Sequence, residues 1–324
     1  MSHAKSKRGF TLVELLVVIG IISLLAAIAI PAILASIERA RCLQCTNNLK
    51  ELSKALNAYQ VTKKRYPGWI NKVGNRSAGW PVMILENIDR GDLWDEWRSE
   101  DTASDPTPVQ VNLFICPSSG LKQIKLGICY VANCGQQDAG LGLLGDDIPP
   151  DWKANGVCFR EYDPDDKPFM RVLPAIEDGK RSTLLLSENL QAGNWNGDGT
   201  QGERLNGMIW WLGGSTPATL STVETNLKVN ADLQADRESV ISNIADYTHS
   251  RPSSYHPGGV NAAYCDGHAD FMSDGIDYRV FAQLMAADDS KAMYAGIKDY
   301  DLYKHGELVN LHEWLKPSFT EEDF

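Results

Sequence analysis

The chain is short of positive charge: 31 lysines and arginines stand against 42 aspartates and glutamates, a formal charge of −11. No basic patch laced with aromatics offsets that deficit, which argues against a nucleic-acid partner. A second long apolar run is also missing, so one membrane span is expected. No regular alternation of strands and helices follows the first run, which argues against a βαβ architecture. Ser253 and Ser254 lack a nucleophile-elbow motif, so neither reads as a hydrolase serine.

What is present begins with "KRGFTLVELLVVIGIISLLAAIAIPAIL". From Phe10 to Ile37 the only formal charge is Glu14. At 1.5 Å per residue, the roughly 20 residues needed to cross a bilayer fit easily. Lys5, Lys7 and Arg8 precede the run, which predicts a cytoplasmic N-terminus and residues beyond about Arg39 outside. A cleaved secretion signal has a short apolar core and a small-residue cleavage site. Here the run is longer, and helical patterning continues through Ile37, Leu43, Leu49, Leu52, Leu56 and Tyr59. The spacing predicts one retained helix, with 10–37 in the membrane, 38–60 as a stalk, and a kink at Pro31. A carboxylate left alone in such a run must protonate or find a partner, which makes Glu14 a candidate functional residue.

The stretch "KRGFTLVELLVVIGIISLLAAIAIP" closely resembles the start of a type IV prepilin or type II secretion pseudopilin. A basic leader, 1–9, ends in Gly9 and is followed by Phe10, Thr11, Leu12 and Glu14. The resemblance implies that a prepilin peptidase cuts between Gly9 and Phe10 and methylates the new amine. It also implies that Glu14 neutralises the terminal ammonium of a neighbouring subunit during assembly. Phe10 and Glu14 lie four residues apart on one helix face, so the chain's own amine is an equal candidate. The implied partners are the lipid bilayer, the peptidase and other pilin-like subunits, or copies of the chain itself. The implied location is the inner membrane, single-pass, with the C-terminal domain extracytoplasmic.

Beyond the stalk, "YPGW" reads as the helix stop. "RSAGWPVMILENIDRGDLWDEW" then leads into an amphipathic helix burying Val82, Ile84, Leu85, Ile88, Leu93 and Trp94. Strands are predicted at "ICYVANCG" and "RSTLLLSENL", a short strand or extended segment at "TPVQVNLFICPSS", and "NGMIWWLGG" is a further candidate strand. "GVNAAYCDGHADFMS" reads as a hairpin turning at Asp266–Gly267. Adjacent Trp210 and Trp211 must face opposite sides of their strand. A short strand or helix is expected at 308–315. Strands divided by long loops behind one helix predict an α+β domain.

Four stretches resemble the DUF1559 family of prepilin-like proteins: "CTNNLKELSKALNAYQ", "LFICPSS", "RSTLLLSENL" and "SSYHPGGVNAAYCDGHADFMSDGID". That family's marker, a histidine followed after nine residues by Asp-Gly, falls on His256, Asp266 and Gly267. The resemblance implies a pilin-like fold, a long N-terminal transmembrane and stalk helix packed on an antiparallel β-sheet. It places an extracytoplasmic domain at 61–287 and a C-terminal extension at 288–324, and it names no reaction.

The seven cysteines include Cys42 and Cys45, one helical turn apart. An extracytoplasmic body permits disulfides, with Cys116, Cys129, Cys134 and Cys158 as candidates and Cys116 paired to Cys129 or Cys134 as the leading guess. Buried thiols and zinc are the alternatives, although the spacings match no ribbon or finger. His256, Asp266, His268 and Asp270 are common ligand and catalytic types, yet two separate turns hold His256 and Asp266. Structural turn and packing roles therefore rank above metal binding and catalysis, and no enzyme is expected. Calcium, which some pseudopilins bind in C-terminal loops, is the one cofactor considered. Its weak candidates are Asn194, Asn196, Asp198 and Glu203 in one loop and Asp270, Asp274 and Asp277 in another; neither repeats an EF-hand. The leading function is a structural subunit of a filament, pseudopilus or surface assembly. The alternative is an anchored module binding a glycan, peptide or cation.

Overall fold

The computed structural model describes residues 11–99, 109–119, 127–136, 155–161, 176–197, 202–211, 226–231, 233 and 248–288. Gly9, Phe10, Asp198, the 308–315 segment and all but Asp288 of the predicted extension lie outside them.

Helix α1 (Leu12–Lys63) is 52 residues long and dominates the architecture. Thr11 caps it in a reciprocal capping box: its hydroxyl accepts from the Glu14 amide, and Glu14 Oε2 accepts from the Thr11 amide at 2.9 Å. The helix runs unbroken through Pro31 and ends where Lys64 turns left-handed, just before "YPGW". Its two parts have opposite surroundings. Leu12 to Ile37 expose their apolar side chains, whereas Cys45, Leu49, Leu52, Leu56 and Tyr59 form a buried stripe.

That stripe packs on a five-stranded sheet. Strands β1 (Asn71–Val73) and β2 (Arg76–Ala78) form a separate hairpin, followed by α2 (Trp80–Met83) and α3 (Gly91–Arg98). The sheet comprises β3 (Tyr130–Gln136), β4 (Leu184–Glu188), β5 (Gly207–Trp211), β6 (Gly259–Tyr264) and β7 (Ala269–Ser273). A short α4 (Gly202–Asn206) precedes β5, and α5 (Tyr278–Met285) follows β7. The order is β5-β3-β4-β6-β7. All of β4 is buried, so both of its faces are covered, with α1 and α5 both packed against it.

The α+β, pilin-like plan holds, with three local corrections. The sheet is mixed, because β5 pairs with β3 in parallel while the other pairs are antiparallel. The single amphipathic helix predicted after Ala78 is split into α2, a 3-10 turn at Leu85–Ile88 and α3, with Asp89 left-handed at the break. The same apolar residues still reach the core: Val82, Ile84, Leu85 and Leu93 are buried. The strand predicted around "NLF" is instead a 3-10 turn (Asn112–Phe114), whose Phe114 carbonyl accepts one bond from the Cys129 amide.

Leu52, fully buried on the α1 stripe, tests this packing. Leu52→Ala is expected to lower domain stability by about 2–5 kcal/mol, read by chemical denaturation in detergent. Leu43, exposed on the same helix, should tolerate alanine with little change.

Candidate metal centre

Four segments distant in the chain meet immediately beyond the apolar run. Cys45 comes from α1, Cys116 follows the 3-10 turn, Glu188 ends β4, and His256 sits in the loop entering β6. Their ligand-type atoms all lie within 4.8 Å of one another, and all four residues are buried. The Cys45 thiol donates to Cys116 Sγ at 2.9 Å. Cys116 Sγ lies 3.5 Å from His256 Nε2, which is 3.2 Å from Glu188 Oε1.

An outer ring holds these groups in place. His256 Nδ1 lies 2.6 Å from Glu38 Oε1, and Ser118 Oγ donates to both Glu38 oxygens at 2.9 and 3.0 Å. Glu188 Oε2 accepts from the Asn261 amide at 2.7 Å and from Asn261 Nδ2 at 3.1 Å. Thr46 on α1 donates to Asn261 Oδ1 at 2.7 Å. The His256 loop is pinned by Ser254, whose hydroxyl accepts from the His256 amide and donates to the Gly259 carbonyl. Glu188 Oε1 is buried, and it is this oxygen that faces the His256 ring, 3.2 Å from Nε2.

Burial works against charge on His256, but the Cys116 and Glu188 contacts outweigh it and hold the imidazole up to about 11. Cys45, donating to Cys116, has its thiol pushed up, while the accepting Cys116 is lowered. Partial burial raises Glu38, yet His256 and Ser118 leave it below the ordinary carboxylate range.

The remaining candidates lie elsewhere. Asp266 and His268 pair with each other at the tip of the β6–β7 hairpin, where the His268 ring stacks on Tyr264 and Gly267 takes φ +99. His268 Nε2 is 3.7 Å from Asp270, so this exposed group is separate from the buried His256 cluster. The marker motif therefore spans two structural jobs, a buried imidazole and a hairpin turn. Asp270 and Asp274 do not join the ligand cluster; Asp274 faces Asn230 instead, at 3.5 Å. Asn194 uses its carbonyl to accept from Asn206 and from the Gly197 amide, and Asn196 is partly buried. Trp210 is buried and donates to the Asn155 carbonyl, while the Trp211 side chain lies outside the described set.

The disulfide expectation needs correction. All seven cysteines are among the described residues, and no disulfide joins any two of them. Cys116 turns toward Cys45 rather than Cys129 or Cys134, because the 3-10 turn lays it against α1. Cys134 Sγ points to the Ala132 carbonyl, and Cys129 and Cys158 are wholly buried.

Sequence reasoning missed Cys45, Glu188 and Glu38 as parts of one site. A signal was present: "CTNNLK", "LFICPSS", "LLLSENL" and "SSYHPGG" each deliver one of the four converging residues.

The comparisons with known proteins divide along the same line as the fold. A prokaryotic N-terminal methylation motif matches residues 4–30, and the family described as a protein of unknown function, DUF1559, matches residues 37–279. The type IV major pilin protein PilA of Myxococcus xanthus is 42% identical over 67 residues, which is 21% of this chain and 30% of that protein. The type IV wide pilus major component PilA4 of Thermus thermophilus is 42% identical over 62 residues, 19% of this chain and 47% of its own length. The type II secretion system core protein G of Escherichia coli is 34% identical over 67 residues, 21% and 46% of the two chains. The chain thus spans less than half the length of these curated relatives. No solved structure matches it significantly. With a methylation motif at the start of a long exposed apolar helix and a family match across most of the remaining sequence, the chain belongs to the DUF1559 family.

Proposed function

We propose that the chain is a structural subunit, cut by a prepilin peptidase between Gly9 and Phe10 and assembled through α1 into a filament, pseudopilus or surface array. The observation that carries this reading is the bare first half of α1, whose apolar side chains from Leu12 to Ile37 find no cover in their own domain. Such a surface must be covered by lipid or by the helices of other subunits. The relatives named above, two pilus components and a secretion-system core protein, support assembly as the use of that helix. Lys5, Lys7 and Arg8 favour a cytoplasmic leader and a domain outside the inner membrane.

Intact-mass and N-terminal peptide spectrometry of the protein from isolated envelopes tests the reading. The expected terminus is N-methylated Phe10; a retained Met1 leader would overturn it.

A further inference from the structure

The Cys45, Cys116, Glu188 and His256 cluster has no part in membrane anchoring or processing, yet it is the most chemically specific feature of the domain. We propose that these four residues form a structural zinc site fastening α1 to the sheet, just where the helix leaves its apolar run.

The ligand set comes first. Two cysteines, an imidazole and a carboxylate suit a borderline-soft ion such as Zn²⁺, whereas Ca²⁺ and Mg²⁺ require oxygen. Four protein ligands with full burial match a closed structural site rather than a catalytic one with an open position.

Geometry agrees on two edges of the tetrahedron. Ligand bonds of about 2.3 Å to sulfur and about 2.0–2.1 Å to nitrogen or oxygen imply edges of about 3.5 Å for S···N and about 3.3 Å for N···O. The structure has 3.5 Å between Cys116 Sγ and His256 Nε2, and 3.2 Å between His256 Nε2 and Glu188 Oε1. The third edge is tighter: the two sulfurs sit 2.9 Å apart and must open to about 3.8 Å. A small rotation of either cysteine side chain achieves this, and mutual repulsion of the two thiolates drives it.

The supporting groups point the same way. Glu38 lies 2.6 Å from His256 Nδ1 and fixes that nitrogen outward, which directs Nε2 at the cluster, as in carboxylate–histidine–zinc arrangements. Asn261 occupies Glu188 Oε2 with two hydrogen bonds, so Oε1, which faces His256 Nε2 at 3.2 Å, is the oxygen aimed inward. Two thiolates and one carboxylate would leave three negative charges buried together, and a divalent cation neutralises two of them. Loading releases the two thiol protons and the Nε2 proton of the protonated His256 to solvent, and involves no oxidation. A bound ion would join α1, the Cys116 loop, β4 and the loop before β6 at one point, fixing the angle at which the anchor leaves the domain.

The test uses the full chain, purified in detergent without reductant or chelator. Elemental analysis should find about one zinc per chain, and Cys45 and Cys116 should resist alkylation until a chelator is added. Replacing zinc with Co²⁺ should give a thiolate-to-cobalt charge-transfer band that is absent in Cys116→Ser. Glu188→Gln and His256→Gln should each weaken zinc binding at least tenfold. Glu38→Gln, altering only the outer ring, should weaken it about 10–100-fold while keeping the cobalt band. Circular dichroism confirms that each variant remains folded, and the wild-type measurements stand even if a variant does not. Three results would overturn the proposal: wild-type chain that takes up no stoichiometric metal after zinc loading, a Cys45–Cys116 disulfide in the envelope protein, or equal zinc uptake by a folded Cys45→Ser/Cys116→Ser double variant.

Discussion

Glu14→Ala is expected to remove the chain from its assembly while leaving its domain intact. Glu14 is exposed, and among the described residues its hydrogen bonds run to Thr11, three residues away. No residue of α1 before Cys45 is fully buried against the domain, so fold stability has no stake in the carboxylate. The local loss is confined to one capping box, about 0.5–2 kcal/mol at the helix tip. In a bilayer the balance differs, because a charge near the start of an apolar helix needs a partner. If the proposed cleavage occurs, Phe10 carries the new amine four residues before Glu14 in sequence, so the carboxylate of its own chain or of a neighbour is the expected partner. Deleting one member of a desolvated charge pair costs about 2–5 kcal/mol, more than a tenfold loss of subunit incorporation. The readout is the amount of protein in sheared or cross-linked assemblies relative to the membrane pool. Thr11→Val separates the two roles, since it removes the hydroxyl cap but keeps the carboxylate, and it should still assemble. Wild-type incorporation of Glu14→Ala would remove Glu14 from the assembly account.

The largest effect on folding is expected at Gly259, the first residue of β6. A Cβ there would lie 2.1 Å from the Met272 carbonyl oxygen and 2.9 Å from the Phe271 ring. Both obstacles belong to β7, and the closest is backbone, so no rotamer change relieves the clash. Gly259→Ala should therefore cost about 3 kcal/mol or more, at the upper end for overpacking, and should loosen the β6–β7 pairing. The Gly259 carbonyl also accepts from Ser254, which positions the His256 amide, so the damage should reach the buried cluster. Its neighbour offers a contrast. Gly258 has φ +86 and nothing within 4 Å of an added Cβ. Gly258→Ala should pay only the left-handed backbone penalty of about 1–2 kcal/mol. Thermal melts of the two variants should separate clearly, with Gly259→Ala the lower.

The quality of the sequence reading tracks how local each feature is. The apolar run, its continuation as one helix past Pro31, four of the five predicted strand regions and the Asp266–Gly267 hairpin turn were all legible. Each depends on periodicity or turn chemistry within a few residues. "NLF" departs from the strand expected there because Phe114 is apolar enough for a strand, yet its carbonyl meets the Cys129 amide just before β3 and no ladder forms among the described residues. The parallel pairing of β5 with β3 was illegible for another reason: it depends on a long connection, and connection length alone does not set strand direction.

The cysteines show the limit most clearly. Spacing suggested pairings around Cys116, Cys129 and Cys134, but Cys116 meets Cys45, 71 residues earlier. The cluster closes with His256, 140 residues beyond Cys116. By itself the sequence determined the membrane anchor, the position of Glu14 and the α+β class, because hydropathy and helical period are properties of contiguous residues. Only the tertiary structure decided that Cys45, Cys116, Glu188 and His256 share one buried point, because packing α1 against the sheet brings together groups from four distant segments and excludes water from them.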